Sequence, residues 1–194
     1  MTNPTWFSDD EAFVETQDRT EVSESLWTRR SALALTAGFL ASGATFADAK
    51  PFAQVAQPRA NHIVVSKRNR VMALMAGEQT LKRYRIHLGF APEGHKGRSG
   101  DGRTPEGRYY INRRNPRSDF HLSLGISYPN AQDIARALSM GVDPGGDIFI
   151  HGGPRRRSDR NKKDWTAGCI AVSDREMEEI WAITPTGIPV TILS

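Results

Sequence analysis

The sequence predicts a mainly β fold, a sandwich or a partly closed barrel, to which two short helices are added. Short apolar runs separated by turn residues recur from residue 61 to the C terminus, which is typical of strands. Strands and helices do not alternate as in a βαβ unit, and the chain has no internal repeat. A chain of 194 residues, 38 % of them hydrophobic, can bury one ordinary core and requires only one domain.

The first predicted elements form a β-hairpin. Its strands are the apolar runs at residues 62–66 and 71–75, and its turn is the basic segment at residues 67–70. A third strand is predicted over residues 81–88, where apolar and basic residues alternate imperfectly. Residues 89–107 are dense in Gly and Pro and therefore predict a long irregular loop, a kind of segment that is usually functional or disordered.

The middle of the chain predicts two more strands and a helix. The strands cover residues 108–112 and 120–128. Asn130 is expected to cap the helix, because a side-chain amide accepts hydrogen bonds from the first turn. The apolar face of this helix consists of Ile134, Ala135 and Leu138.

The C-terminal part predicts three further elements. Residues 147–151 form a strand that ends at His151. Residues 173–176, with the sequence SDRE, have the pattern of a capping box and open a helix that continues through Trp181. Residues 188–193 form the last strand.

The N-terminal segment has the composition of an export leader. Residues 1–27 are polar and acidic, and the sequence TRRSAL at residues 28–33 then opens an uncharged, Ala/Leu-rich run that ends near Ala47. Two arginines ahead of such a run are typical of a twin-arginine signal. The run is shorter than the roughly 20 residues of a comfortable membrane span. Ala47, Asp48 and Ala49 provide the small-x-small pattern of a cleavage site.

These patterns predict a leader over residues 1–49, a linker over 50–60 and one domain over 61–194. The leader implies the twin-arginine export machinery as a partner and a periplasmic location. An uncleaved N-terminal anchor in the inner membrane, or a short helix after a polar tail, is the alternative.

Charge is distributed unevenly along the chain. The net charge is +4, but residues 1–49 hold three basic and eight acidic residues, which leaves 23 basic and 14 acidic residues, or +9, from Lys50 onward. A basic domain favours anionic partners such as nucleic acid, a membrane surface or a polyanionic wall polymer, and a merely solvated basic surface is an equal alternative. No nucleic-acid recognition motif accompanies the charge, so we expect no nucleic-acid partner.

Cys169 is the only cysteine of the chain. It is therefore a buried inert thiol, half of an intermolecular bridge or a reactive nucleophile. His151 ends the strand that precedes it, and if the basic loop between them folds back, the imidazole can deprotonate the thiol and later protonate a leaving amine. Main-chain N–H groups near Gly168 can then hold an oxyanion. This arrangement predicts a Cys/His acyl-transfer centre, with two ordinary core residues as the alternative.

Several motifs resemble those of one enzyme family. IHGG at residues 150–153, a variable loop and TAGCI at residues 166–170 are similar to the L,D-transpeptidase catalytic domain, the YkuD-type family of peptidoglycan enzymes. The resemblance covers about residues 61–193 and includes GDGRTPEGRYYI at 100–111 and FHLSLGISYPN at 120–130. It implies a β-sandwich of mixed sheets with a few short helices, closest to the subgroup of murein L,D-transpeptidases and lipoprotein-releasing amidases.

The resemblance also implies roles for individual residues. Cys169 matches the nucleophile, His151 the general base that becomes the acid, and Gly168 the segment that forms the oxyanion site. The implied reaction attacks the L-centre of diaminopimelate in a peptidoglycan stem peptide, releases D-alanine and leaves a thioester. An amine then resolves the thioester, which gives a 3-3 cross-link or attaches a protein.

Ala171 departs from the family pattern, because many cross-linking members have arginine or asparagine at this position. Hydrolysis is therefore an alternative, as L,D-carboxypeptidase, as endopeptidase or as an amidase that releases wall-linked lipoprotein. A non-catalytic wall-binding module is another. Stem peptides are the expected partners, and wall-linked lipoprotein is a further one.

Five more residues are candidates for the substrate pocket. His121 and Ser123 lie on the matching strand, and the alternative is that they are ordinary strand residues. Trp165 either borders the pocket or only anchors the loop, and Arg155 and Arg156 either contact substrate carboxylates or are simply solvated. No cofactor is predicted, and no metal site, because the five histidines lack metal-ligand spacing.

Overall fold

The computed structural model describes residues 58–194, so the predicted leader and most of the predicted linker lie outside the described residues. Within this range the chain forms eight strands and two α-helices, which confirms the mainly β prediction. The strands are β1 (His62–Ser66), β2 (Val71–Ala76), β3 (Gln79–Arg85), β4 (Gly107–Ser118), β5 (His121–Ile126), β6 (Phe149–His151), β7 (Ile170–Ala171) and β8 (Pro189–Leu193). The helices are α1 (Ala131–Ser139) and α2 (Asp174–Ile183), and a 3₁₀ turn covers Arg157–Asp159. No helix in the described range is long and apolar enough to cross a membrane.

The strands form one mixed sheet in the order β3-β2-β1-β8-β4-β5-β6-β7. The pairs β1–β8 and β6–β7 are parallel, and the other neighbours are antiparallel. β4 joins the two halves of the sheet, because its first residues pair with β8 and its later residues pair with β5. The half that contains β5, β6 and β7 positions His151, at the end of β6, and Cys169, directly before β7.

The core lies between the sheet and α2. Ser173 caps α2 and forms the predicted capping box with Glu176. Met177 and Ile180 of this helix are completely buried, as are Ile150 and Ile170 on the neighbouring strands. Burial of each such side chain contributes about 1.5–3 kcal/mol, so α2, β6 and β7 stabilise one shared core.

Two predicted strand boundaries are corrected by the structure. β4 continues to Ser118, six residues beyond the predicted end at residue 112. Residues 113–118 are polar and include Pro116, so they lack strand alternation, and they pair with β5 through two irregularities in the register. β6 begins at Phe149 and not at Asp147, because Asp147 has a φ of +54°, which a strand does not accommodate.

Helix α1 is capped by Asn130 as predicted, but it buries a different face from the predicted one. Ile134 and Leu138 are 42 % and 72 % exposed, whereas Asp133 and Ala137 are buried. The Asp133 carboxylate accepts hydrogen bonds from the Asn130 N–H and the Tyr109 hydroxyl, each at 3.0 Å. A polar contact therefore orients this helix, and its apolar periodicity alone gives the wrong face.

The predicted loop between β3 and β4 is held by two buried lysines. Lys67 Nζ donates to the carbonyl of Thr104 at 2.9 Å and to Glu106 at 2.8 Å. Lys96 Nζ donates to Asp101 at 2.9 Å, and the same carboxylate accepts main-chain N–H groups from three loop residues. The loop is thereby an ordered wall, and it contacts the segment that leads to Cys169.

Candidate active site

The sheet register places Cys169 and His151 on one face. Ile150 pairs with Ile170 and His151 with Ala171, and both isoleucines are fully buried on the other face. Because side chains alternate along a strand, Cys169 lies on the same face as Ala171 and His151. The two residues that the sequence predicted to converge are thus brought together by β6 and β7.

Two adjoining clefts meet at this pair. Cys169, His151 and Phe120 line both of them. The first cleft, of about 320 Å³, is also lined by Asn115, Arg117, Ser118, Asp119, Ser123, Asp147 and Phe149. The second, of about 340 Å³, is also lined by Asp119, Arg155, Arg156, Asp159, Trp165, Thr166 and Ala167. A reacting group at the sulfur is therefore accessible from two sides.

His151 is buried and held in one tautomer. Its Nδ1 lies 2.6 Å from the carbonyl oxygen of Gly152. A carbonyl only accepts, so Nδ1 carries the proton and Nε2 keeps its lone pair. The ring packs on Phe120 and Trp165, with centroid distances of 4.5 Å and 5.6 Å. Burial lowers the pKa of His151, the Gly152 carbonyl opposes this, and Arg155 lowers it further, so the imidazole is neutral at neutral pH.

Cys169 rests as a thiol. Burial raises the pKa of its side chain, and the nearby carboxylate of Asp147 raises it further, whereas the Phe149 main chain and Lys96 lower it. The Sγ–H points to the main-chain carbonyl of Asp147, with 3.5 Å between sulfur and oxygen. A thiol in these surroundings needs a base to become a nucleophile.

The turn before Cys169 is fixed by Thr166 and Gly168. The Thr166 hydroxyl donates to the Cys169 carbonyl at 2.7 Å and accepts the Gly168 N–H at 3.1 Å. Gly168 has a φ of +133°, and a Cβ there would lie 2.7 Å from the carbonyl oxygen of Arg103. The glycine thus allows the loop wall to approach the nucleophile, and its own N–H is bound by Thr166.

The basic loop after His151 is anchored at both ends by ion pairs. Arg155 donates to both oxygens of Asp174, at 2.8 Å and 2.7 Å, at the start of α2. At the other end, Arg70 donates to both oxygens of Asp164 at 2.9–3.0 Å, and the Leu88 N–H donates to the same carboxylate at 3.0 Å. These contacts hold the loop beside the second cleft.

The five predicted pocket residues differ in position. Ser123 lines the first cleft, and Trp165, Arg155 and Arg156 line the second. His121 lies outside both clefts, and its Nε2 is 2.8 Å from Glu178 of α2. Its φ is +74° at the start of β5, which is outside the strand region, so regular strand alternation does not place it with Ser123. Within residues 58–194, no group of three or more His, Cys, Asp or Glu side chains is arranged to bind a metal ion.

Sequence reasoning missed three residues near the sulfur. Phe120 covers the imidazole, Asp147 contacts the thiol through its carbonyl, and Arg113 pairs with Asp147 at 2.6 Å. In the sequence, Phe120 and Asp147 are only the first residues of predicted strands, and nothing in the pattern assigns them to the site. Arg113 lay beyond a predicted strand end, so the sequence contained no signal for its place in the sheet.

Comparison with known proteins identifies the family. The family model of the YkuD L,D-transpeptidase catalytic domain matches residues 60–192, which is more than half of the chain. The helical cell shape determining protein Pgp2 from Campylobacter jejuni has a similar structure, with a TM-score of 0.55 and 23 % identity over 70 % of this chain and 48 % of that chain. Bd1075 from Bdellovibrio bacteriovorus has a TM-score of 0.50 and 24 % identity, over 70 % of this chain and 48 % of that chain.

The chain thus spans about half the length of these two structures. A search of curated protein sequences gave no significant match. The structural likeness shows the fold, and the family match covers both the IHGG strand and the TAGCI turn. The resemblance seen in the motifs is confirmed, and the chain belongs to the YkuD family of L,D-transpeptidase catalytic domains.

Proposed function

We propose that this domain is a peptidoglycan L,D-transpeptidase that uses Cys169 as its nucleophile and His151 as its general base and acid. The supporting observation is the position of the pair on one sheet face, where two clefts meet. The free Nε2 of a neutral imidazole supplies the base that the protonated thiol requires.

In the first half-reaction, His151 Nε2 takes the thiol proton and the thiolate attacks the carbonyl carbon of the diaminopimelate L-centre in a stem peptide. The oxyanion forms beside Gly168. Because the Gly168 N–H is bound to Thr166, we assign the donor role to the N–H of Cys169. When the C–N bond breaks, His151 returns the proton to the leaving amine, D-alanine departs, and a thioester remains on Cys169.

In the second half-reaction, an amine attacks the thioester carbonyl and gives its proton to His151. The C–S bond breaks, a new amide bond forms, and the sulfur recovers the proton from the imidazole. Either the amine of a second stem peptide or that of a protein completes this step, and water in its place gives hydrolysis.

Two clefts give room for the two substrates that transfer requires. Both reach Cys169 and His151, and they have similar volumes of about 320 and 340 Å³. A transpeptidase holds an acyl donor and an acceptor at the same sulfur, whereas an endopeptidase would place the two sides of one scissile bond in the same two clefts. Ala171 supports the hydrolytic alternative, because it replaces the arginine or asparagine of many cross-linking members.

We also propose that the protein is exported to the periplasm. The TRRSAL motif at residues 28–33 and the basic domain that follows support this location. Cell fractionation of the full chain, compared with a variant in which Arg29 and Arg30 are lysines, tests the proposal. Retention of the variant in the cytoplasm is expected, and equal export of both proteins contradicts it.

Product analysis tests the enzymatic proposal. The protein is incubated with disaccharide-tetrapeptide under reducing conditions, and products are followed by mass spectrometry for wild type, Cys169→Ser and Cys169→Ala. A cross-linked dimer with loss of D-alanine is expected from wild type only. Tripeptide without dimer indicates a carboxypeptidase, and the absence of reaction on all stem and lipoprotein-linked substrates refutes both activities.

Thiol labelling separates an enzyme from a wall-binding module. A working Cys/His pair predicts that iodoacetamide modifies Cys169 rapidly near neutral pH and that His151→Ala slows the modification. A binding module predicts slow modification that does not depend on His151.

A further inference from the structure

Arg113 belongs to β4, two strands away from β6, yet its side chain reaches the nucleophile's surroundings. The register aligns Arg113 with Gly125 of β5, and Gly125 with Phe149 of β6. A Cβ at Gly125 would lie 2.6 Å from Cγ of Arg113. The arginine therefore crosses the central strand where that strand has no side chain.

The guanidinium makes two contacts with β6 and the residue before it. Its Cζ lies 4.6 Å from the centroid of the Phe149 ring, which is the geometry of a cation–π contact. Its Nη2 donates to Oδ1 of Asp147 at 2.6 Å. One side chain thus holds both Asp147 and Phe149.

These two residues are the ones whose main-chain groups contact the sulfur. The Asp147 carbonyl lies 3.5 Å from Sγ of Cys169. The Phe149 main chain hydrogen-bonds the sulfur and lowers the pKa of the thiol. Asp147 is also held at a φ of +54°, so the orientation of its carbonyl depends on what restrains this residue.

We propose that Arg113 is a positioning residue for Cys169, which fixes the main-chain groups of Asp147 and Phe149 around the sulfur and neutralises the Asp147 carboxylate. A role of Arg113 in catalysis rests on the proposed function. In that function Cys169 and His151 contact the substrate or the reacting atoms, and Arg113 acts on them through Asp147 and Phe149.

Electrostatics gives the direction of the effect. The Asp147 carboxylate raises the pKa of the Cys169 thiol. The Arg113 guanidinium pairs with that carboxylate at 2.6 Å, so we expect it to oppose this influence. Both side chains are more than half exposed, so solvent screens the effect and a change of about three- to tenfold in thiolate reactivity is expected. Among the described residues, the other charged or titratable groups around the sulfur lie on four elements: His151 on β6, Lys96 in the loop before β4, Arg117 near the end of β4 with Asp119 just after it, and Arg155, Arg156 and Asp159 in the basic loop.

The test is the pH dependence of Cys169 alkylation by iodoacetamide in the full chain. Arg113→Ala is expected to slow alkylation by about three- to tenfold near neutral pH and to move the alkaline rise to higher pH. Asp147→Asn is expected to act in the opposite direction. In the double variant, loss of Arg113 is expected to change the rate less than it does in the wild-type background, because the carboxylate it neutralises is absent and only its contact with Phe149 is removed.

A second variant displaces the arginine without deleting it. Gly125→Ala places a methyl group 2.6 Å from Arg113 Cγ and 2.6 Å from Asn112 Oδ1, so it is expected to displace the arginine and to slow alkylation in the same direction as Arg113→Ala. Arg175→Ala is the matched control, because Arg175 is 92 % exposed on α2 and lines neither cleft. Circular dichroism and the melting temperature check that each variant is folded.

Alkylation profiles of folded Arg113→Ala and Gly125→Ala that superimpose on wild type overturn the inference. Independent, additive effects of Arg113→Ala and Asp147→Asn overturn it as well. Because iodoacetamide needs no peptidoglycan, these results are separate from the product analysis. A slowed alkylation together with absent turnover on stem peptides supports the positioning role and refutes the proposed function.

Discussion

The imidazole of His151 is oriented by the carbonyl of its own neighbour Gly152, at 2.6 Å from Nδ1. A main-chain carbonyl here provides what a third side chain supplies in other triads, because it fixes the tautomer and leaves Nε2 free. The carbonyl is a dipole without a net charge, so it stabilises the imidazolium less than a carboxylate would. Burial under Phe120 and Trp165 then keeps the base neutral.

Replacement of His151 tests its role as base. His151→Gln retains hydrogen-bonding capacity but removes a titratable nitrogen, so kcat/KM on stem peptide is expected to fall by about 10²–10⁴-fold. Alkylation of Cys169 near neutral pH is expected to slow as well. Steady-state kinetics and iodoacetamide labelling measure the two effects. Unchanged rates in a folded variant contradict the assignment.

The aromatic cover of His151 sets the acidic limit of activity. Burial lowers the pKa of His151, and the base works only when neutral, so activity is expected to be lost below the ordinary histidine value of about pH 6.5. Phe120→Ala admits water to the ring, raises its pKa and moves the acid limb of kcat/KM to higher pH. Phe90→Ala is the control, because Phe90 is 63 % exposed and lies outside both clefts. The explanation is contradicted if Phe90→Ala shifts the acid limb of the kcat/KM profile. It is also contradicted if Phe120→Ala leaves that limb unmoved.

The loop wall beside Gly168 depends on Asp101. Burial alone would raise the pKa of Asp101, but the Lys96 ammonium and the N–H groups of Gly97, Arg103 and Arg98 outweigh it and lower the pKa to about 2. A lowered carboxyl pKa stabilises the fold above the ordinary value of 3.8, and this stabilisation is lost as pH falls toward 2.

Asp101→Asn is therefore expected to lower the free energy of unfolding by about 1–2 kcal/mol at neutral pH. Urea denaturation of wild type and variant should converge between about pH 5 and pH 2. Asp143→Asn serves as control, because its carboxylate is exposed and accepts a main-chain N–H from Gly145 at 2.9 Å. A difference that persists unchanged at low pH contradicts the linkage.

Local sequence patterns predicted the elements that are stabilised by interactions between residues close together in the chain. The Asn130 cap of α1 and the capping box of α2 are present as predicted, and the hairpin of β1 and β2 has its turn at the basic segment. The thiol and the imidazole meet because β6 and β7 pair in parallel. The motifs pointed to this pairing, although spacing alone did not determine it.

Other features depend on contacts between distant residues. The inner face of α1 is chosen by Asp133 and Tyr109, whose hydrogen bond has no counterpart in apolar periodicity. The length of β4 is determined by its pairing with β5, which overrides a polar sequence. Arg113 reaches Asp147 only because Gly125 lies between them in the register, and no pattern along the chain indicates that alignment.

Replacement of Gly168 is expected to impair the protein for two reasons, backbone strain and a collision with the loop wall, which a control variant can distinguish. Its φ of +133° strains any L side chain, and a Cβ would lie 2.7 Å from the Arg103 carbonyl oxygen, a main-chain atom of a firmly held loop. Gly187→Ala is the matched control, because its φ is +87° and, within residues 58–194 and apart from its chain neighbours, no atom lies within 4 Å of the added Cβ, so it adds strain without a collision. We expect Gly187→Ala to cost about 1–3 kcal/mol of stability and to leave Cys169 alkylation unchanged.

Gly168→Ala should lower the melting temperature further and change alkylation, because the collision displaces the turn that carries Cys169. Equal effects of the two variants on alkylation would show that close approach of the loop wall does not position the nucleophile.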